Sequence, residues 1–206
     1  MKRRSKTSQW HRRHVGDPWV KQAQQAGYRS RAAYKLLEIH QSERLIKRGQ
    51  AVVDLGAAPG GWSQVAAEVL RGEGVVVGVD LLPVDPLPGV AFVQGDFCED
   101  EVRARVLAAT ERSHVDVVLS DMAPDLTGVR STDQVRSIAL AEQVLAFARC
   151  ALNPQGVLLM KVFQGEGFDG LFADFKASFS RVKTKKPVAS RDRSRETYLL
   201  GGGLRT

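Results

Sequence analysis

Five short apolar runs recur along the chain, at 51–55 (AVVDL), 75–80 (VVVGVD), 91–96 (AFVQGD), 115–121 (VDVVLSD) and 156–163 (GVLLMKVF). Helix-like stretches lie between several of them, near 61–71, 99–110, 132–151 and 168–178. Runs that are apolar on both faces and alternate with helices predict a parallel sheet covered on both sides. Two later stretches, 181–187 and 195–201, predict strands joined by a basic loop, an antiparallel hairpin at the sheet edge. The expected fold class is therefore α/β, a doubly wound and mostly parallel sheet with that edge hairpin. At 206 residues there is room for one such domain, over 28–206, and a basic N-terminal extension over 1–27. The extension has no sustained period and reads as loop or partly disordered chain, with Gly16–Asp17–Pro18 as a turn. From Ser30 to His40 a helix is expected: Ala32, Ala33, Leu36, Leu37, Ile39 and His40 share one arc, and Lys35 lies just outside its edge.

In such a sheet, ligands bind outside the carboxyl ends of the strands. The five runs finish at or near Asp54, Asp80, Asp96, Asp121 and Lys161, which puts four acids and a lysine along one rim. One acid there would merely cap a helix or close a turn; the set together predicts a site. The first turn reads Asp54-Leu-Gly56-Ala-Ala-Pro59-Gly60-Gly61-Trp62. A dinucleotide fingerprint would need glycine where Ala58 stands, and Asp54 would repel a pyrophosphate while suiting an ammonium or sulfonium. Asp80 stands where a carboxylate can accept both ribose hydroxyls of an adenosine. Loop and rim together point to S-adenosylmethionine and count against a nicotinamide-dependent oxidoreductase.

Charge is strongly segregated. Residues 1–35 carry a net of +9, residues 176–206 a net of +7, and the middle a net of −9. Basic ends around an acidic middle predict a polyanion-binding surface beside a site that tolerates positive charge. Trp10, His11, His14, Trp19 and Tyr28 are interleaved with the N-terminal Lys and Arg, and aromatic rings stack on unpaired bases. The basic loop 181–195 is expected to contact phosphates without reading bases. No run is long and apolar enough to span a membrane, and MKRRSKTSQW lacks the apolar core of a secretory signal. Cys98 and Cys150 show no ligand or disulfide spacing, so no metal is expected, and a cytoplasmic location is. Oligomeric state leaves no trace in the sequence, and a monomer is the default.

The stretches SRAAYKLLEI (30–39), VDLGAAPGGWSQ (53–64), GVD (78–80), QGDF (94–97), LSDMAPDLTG (119–128), LLMKVFQG (158–165) and SRETYL (194–199) resemble the FtsJ/RrmJ family, in order and through nearly the whole chain. The resemblance implies a Rossmann-like, S-adenosylmethionine-dependent ribose 2′-O-methyltransferase. It is similar to the bacterial branch acting on a uridine in the A-loop of 23S ribosomal RNA, in the large ribosomal subunit. It further implies a catalytic set of Lys35, Asp121, Lys161 and Glu196. Implied cofactor contacts are Gly60 and Trp62 in the first loop, Asp80 at the ribose, Asp96 at the adenine and Asp121 near the methionine end. Another RNA such as transfer RNA, or a non-catalytic ribosome-assembly role, is the alternative.

A ribose hydroxyl is a weak nucleophile while protonated, so methyl transfer to it needs a base or acceptor as the new bond forms. Lys161 is the candidate base, in a run too apolar for an ordinary surface lysine, with Lys35 to favour its neutral form. Nearby carboxylates act in the opposite direction, and a charged Lys161 that steers the hydroxyl lone pair is the second version. Asp121 and Glu196 would orient the lysines and the ribose. Outside the motifs, Lys35 would read as a helix-flank lysine, Glu196 as an ion-pair partner of Arg193 or Arg195, and Trp62 as helix–sheet packing.

Overall fold

The doubly apolar runs pair as parallel strands. A computed structural model describes residues 17–125, 127–190 and 194–205. It contains β1 (Ala51–Leu55), β2 (Val75–Asp80), β3 (Val90–Gln94), β4 (Val115–Ser120), β5 (Leu152–Phe163), β6 (Phe179–Lys185) and β7 (Glu196–Leu204). These form one sheet in the order β3-β2-β1-β4-β5-β7-β6. The first five named strands along the chain pair in parallel, and β7 runs antiparallel to both β5 and β6. The order reverses between β1 and β4, which makes their carboxyl ends the switch point where doubly wound sheets bind ligands.

Helices cover both faces because successive strand side chains point to opposite sides. Val53, Leu55, Val77, Val118 and Leu158 pack with α4 (Asp100–Ala109), α5 (Arg130–Ala151) and α6 (Phe168–Ser178). Their neighbours Val52, Val76, Val117, Leu119 and Leu159 pack with α2 (Ala32–Glu43) and α3 (Gly61–Leu70). Leu158, Leu159 and Met160 of β5 have no exposed surface, and each such side chain contributes about 1.5–3 kcal/mol by burial. The two faces form separate cores joined only through the sheet.

Several boundaries differ from expectation. Residues 18–25, which read as loop, form a helix, α1 (Pro18–Gln25). Asp17 is its N-cap rather than part of a turn, accepting from the Trp19 amide at 3.1 Å, and Pro18 begins the first turn. The helix buries only Ala23 and docks through Trp19, whose ring lies 5.2 Å from that of Tyr34. Strand β5 starts at Leu152 rather than 156, where Leu152 pairs with Val115 ahead of a register shift. In the edge hairpin, β7 lies inside and β6 forms the edge, so the chain passes over β7 before returning beside β5. Trp10, His11, His14 and Arg193 lie outside the described residues. No described helix is long and apolar enough to cross a membrane.

Candidate active site

Parallel pairing brings the charged strand ends together. Leu55 pairs with Val79 and Ser120, Ser120 with Met160, and Asp80 with Gln94. Asp54, Asp80, Asp121 and Lys161 thus lie at one rim. Because β7 is antiparallel to β5, it begins at that same rim, with Glu196 opposite Phe163 and Tyr198 opposite Lys161. The fourth member arrives from α2, where Ala33, Leu36 and Ile39 are buried and Lys35 is only 7% exposed. Lys35 turns inward to Glu196 and Asp121, a reach that its place just outside the edge of the apolar arc allows.

Lys35 Nζ lies 2.8 Å from Glu196 Oε1 and 3.6 Å from Asp121 Oδ1. Lys161 Nζ lies 3.2 Å from Asp121 Oδ1 and also donates to the Asp121 carbonyl. Two ammonium groups and two carboxylates therefore balance in a nearly dry cluster, where an unpaired charge would be costly. Burial raises the Glu196 carboxyl, but the Lys35 charge and hydrogen bond, the Ser190 hydroxyl and the Lys161 charge outweigh it and hold the group below the usual carboxylate range.

Two residues the sequence did not single out complete the cluster. Tyr198, with no exposed surface, donates its hydroxyl to Asp121 Oδ1 at 2.6 Å. Burial, then the Asp121 and Glu196 charges, push its phenol far up, so it is a donor at any working pH. The available signal was spacing: in a strand, residues 196 and 198 share a face. Ser190 donates to Glu196 Oε1 at 2.8 Å. Its loop is tied to α2: Glu38 accepts from the Val188 amide at 2.8 Å and Arg31 donates to the Ala189 carbonyl.

The first loop folds back on β2, the amides of Gly56 and Ala57 donating to the Val79 carbonyl at 2.9 and 3.1 Å. Gly56 has φ +73°, and a Cβ there would lie 2.0 Å from Met122 Cγ, so only glycine lets the β4 loop approach so closely. Asp80 spans two loops, accepting from the Ala58 amide through Oδ2 and the Leu82 amide through Oδ1, each at 2.9 Å. Asp96 accepts from the Cys98 amide at 2.9 Å just past β3. Gly60, φ +106°, opens α3 at the rim. The Trp62 side chain does not reach the rim: it is 3% exposed, donates to the Ala32 carbonyl at 2.8 Å and packs 5.8 Å from the Tyr198 ring. Its backbone lies in the first turn of α3, next to the loop. Asp54 is buried beneath, accepting from Ser63 Oγ at 2.6 Å. Burial pushes its carboxyl up to about 7 against the Ser63 hydrogen bond, and the charges of Asp121 and Asp80 add to the rise.

Residues 181–185 of the expected basic loop belong instead to β6, where Lys183 lies 2.7 Å from Glu43 and Lys185 is paired with the same carboxylate. These two lysines, expected to face phosphates, are partly neutralised.

The chain matches the FtsJ-like methyltransferase family over residues 28–204. The chain belongs to this family. Among relatives, the ribosomal RNA large subunit methyltransferase E of Pseudomonas paraeruginosa is 53% identical over 98% of both chains. The protein of the same name from Alkalilimnicola ehrlichii is 55% identical over 98% of this chain and 97% of its own. A ribosomal RNA methyltransferase structure from Plasmodium falciparum superposes with a TM-score of 0.78 at 30% identity, covering 86% of this chain and 98% of that one. The fibrillarin/Nop5p complex structure, at 18% identity and TM-score 0.58, shares the fold alone. An FtsJ-like methyltransferase requires a methyl donor.

Proposed function

We propose that the chain methylates the 2′-hydroxyl of a ribose in RNA using S-adenosylmethionine, with a uridine in the A-loop of 23S ribosomal RNA, in the large ribosomal subunit, as target. The observation that carries the reading is the Lys35–Glu196 and Lys161–Asp121 cluster at the switch point of a methyltransferase sheet. The names of the relatives support the substrate.

The residues fit the cofactor. Asp80 and Asp121 give the rim the negative charge that suits a sulfonium, and both add to the rise that burial chiefly imposes on Asp54. At Gly56 and Gly60 a side chain would run into Met122 and Arg29, so the two glycines let the turn pack close beside Asp80 and Asp121. Gly60, the Trp62 backbone, Asp80, Asp96 and Asp121 would hold it, Asp80 toward the ribose, Asp96 toward the adenine and Asp121 toward the methionine end. When bound, S-adenosylmethionine supplies an electrophilic methyl group on a sulfonium.

Lys161 donates to the carbonyl of Asp121 and is ion-paired with its carboxylate, which leaves N–H capacity for the ribose hydroxyl. As an ammonium it holds the hydroxyl oxygen and turns a lone pair toward the methyl carbon. Asp121 would accept the hydroxyl proton as the oxygen–carbon bond forms and the methyl–sulfur bond breaks, the electron pair staying on the departing thioether sulfur. Tyr198 fixes the Asp121 carboxylate, and Lys35, held by Glu196, offsets its charge and faces the incoming backbone.

The test is transfer of labelled methyl to undermethylated large subunits, free ribosomal RNA and transfer RNA in parallel, with the site mapped. Label at a large-subunit ribose supports the reading. Label on transfer RNA alone replaces the substrate and keeps the chemistry. No label on any of them overturns it.

A further inference from the structure

Arg29 lies in the strongly basic first 35 residues, where charge alone predicts a phosphate contact. Its guanidinium is instead occupied by backbone carbonyls. Nη1 donates to Pro59 O at 3.2 Å and to Asp85 O at 2.7 Å, and Nη2 donates to Pro86 O at 2.7 Å. Pro59 sits in the glycine turn after β1, and Asp85 and Pro86 sit in the loop after β2. One planar side chain therefore ties together the two loops that flank Asp80.

The base of Arg29 is itself fixed. Its amide donates to Gln64 Oε1 at 3.2 Å, while Gln64 Nε2 donates to Gly27 O at 3.0 Å. Tyr28 donates to Glu68 at 2.9 Å. Residues 27–29 are thus pinned along the first turns of α3. The guanidinium lies close over the turn: a Cβ on Gly60 would be 3.0 Å from Arg29 Nη1. A fork of fixed N–H directions can meet three divergent carbonyls, which a lysine ammonium at the same place cannot match.

We infer that Arg29 is a positioning residue for the methyl donor, setting the distance between the 57–60 and 81–86 loops rather than binding RNA. The inference rests on the methyltransferase reading above. The two loops carry the Ala58 and Leu82 amides that orient Asp80. Losing the clamp lets the loops part and weakens the grip on the donor's ribose, while the Lys161–Asp121 cluster, held by other strands, keeps its geometry.

The experiment compares wild type, Arg29→Lys and Arg29→Ala by hydrogen exchange without ligand, by S-adenosylmethionine titration and by RNA binding across a salt series. Both variants are expected to exchange faster in 57–60 and 81–86 than wild type. Both should bind S-adenosylmethionine about ten- to thirtyfold more weakly, as for two or three lost hydrogen bonds. At saturating donor, kcat should stay within about twofold, and RNA affinity and its salt slope should not move. A salt slope lower by about one, with unchanged donor binding, would make Arg29 a phosphate ligand and overturn the inference. Unchanged loop exchange, or full rescue by lysine, would overturn it too. Should Arg29→Ala not fold, Arg29→Lys carries the test. If wild type binds no S-adenosylmethionine, the methyltransferase reading fails separately, and loop exchange still reports on the clamp.

Discussion

The Tyr198 hydroxyl donates to Asp121 Oδ1 at 2.6 Å, the same oxygen that lies 3.2 Å from Lys161 Nζ and 3.6 Å from Lys35 Nζ. One hydrogen bond and two ion pairs converge on one carboxylate oxygen, which fixes the plane of Asp121 and the direction of its second oxygen. A hydrogen bond to a charged group is worth about 1.5–3 kcal/mol. If it acts mainly in the transition state, Tyr198→Phe lowers kcat at least about tenfold and leaves KM for the donor within about twofold. Steady-state kinetics on the variant, with a melting curve to establish folding, check this. Wild-type kcat would show that the lysines alone hold Asp121.

Lys161 distinguishes base from steering group by pH. An ammonium that orients the hydroxyl gives a kcat that is level between pH 7 and 9. A neutral amine acting as base gives a kcat that climbs about tenfold per pH unit while the amine is still mostly protonated. The account predicts the level profile, and a large loss of kcat in Lys161→Ala at every pH.

Asp54 makes stability fall as pH rises. Burial pushes its folded carboxyl up to about 7, whereas in the unfolded chain an aspartate titrates near 3.9. Between those values the folded state holds a proton the unfolded state has released, so stability declines with pH, by at most about 4 kcal/mol in all. Asp54→Asn is therefore expected to raise Tm at pH 8.5, with the gain shrinking toward pH 4. A gain independent of pH would show that Asp54 does not carry the linkage.

Glu196 acts with the opposite sign. Its carboxyl is held below the usual range, so the stability it contributes is present above the unfolded glutamate value of about 4.3 and is lost as pH falls through the lowered folded value. Glu196→Gln keeps the shape and can still accept from Ser190, but it leaves Lys35 without its close ion pair. The variant is expected to melt below wild type at pH 7, with the gap closing below about pH 4. Paired melting curves at pH 7 and 3.5 measure it.

The parallel sheet was legible because each strand is apolar on both faces, and the rim because a charge ends each run. Lys161 announced itself as a charge among Leu159, Met160 and Val162. Helix α1 escaped because it buries only Ala23, too little for a periodic signal, although Asp17–Pro18 is a helix start as well as a turn. Tyr198 carries no sequence signal of its own; it is buried in the core, and its hydroxyl becomes a site group only when β7 is placed beside β5. The Ser190 contact depends on the loop before β7 returning onto α2 through Glu38, a tertiary contact with no local pattern. Lys183 and Lys185 look free for phosphate in sequence because Glu43 is far away along the chain.

The central claim is that the cluster at the switch point methylates a ribose oxygen. Its most direct measurement is nucleoside analysis of large-subunit RNA after reaction, beside an RNA carrying 2′-deoxyuridine at the mapped position. The account predicts 2′-O-methyluridine from the first and no incorporation at that position in the second. A methyl group on a base, still transferred when the 2′-hydroxyl is absent, would contradict it.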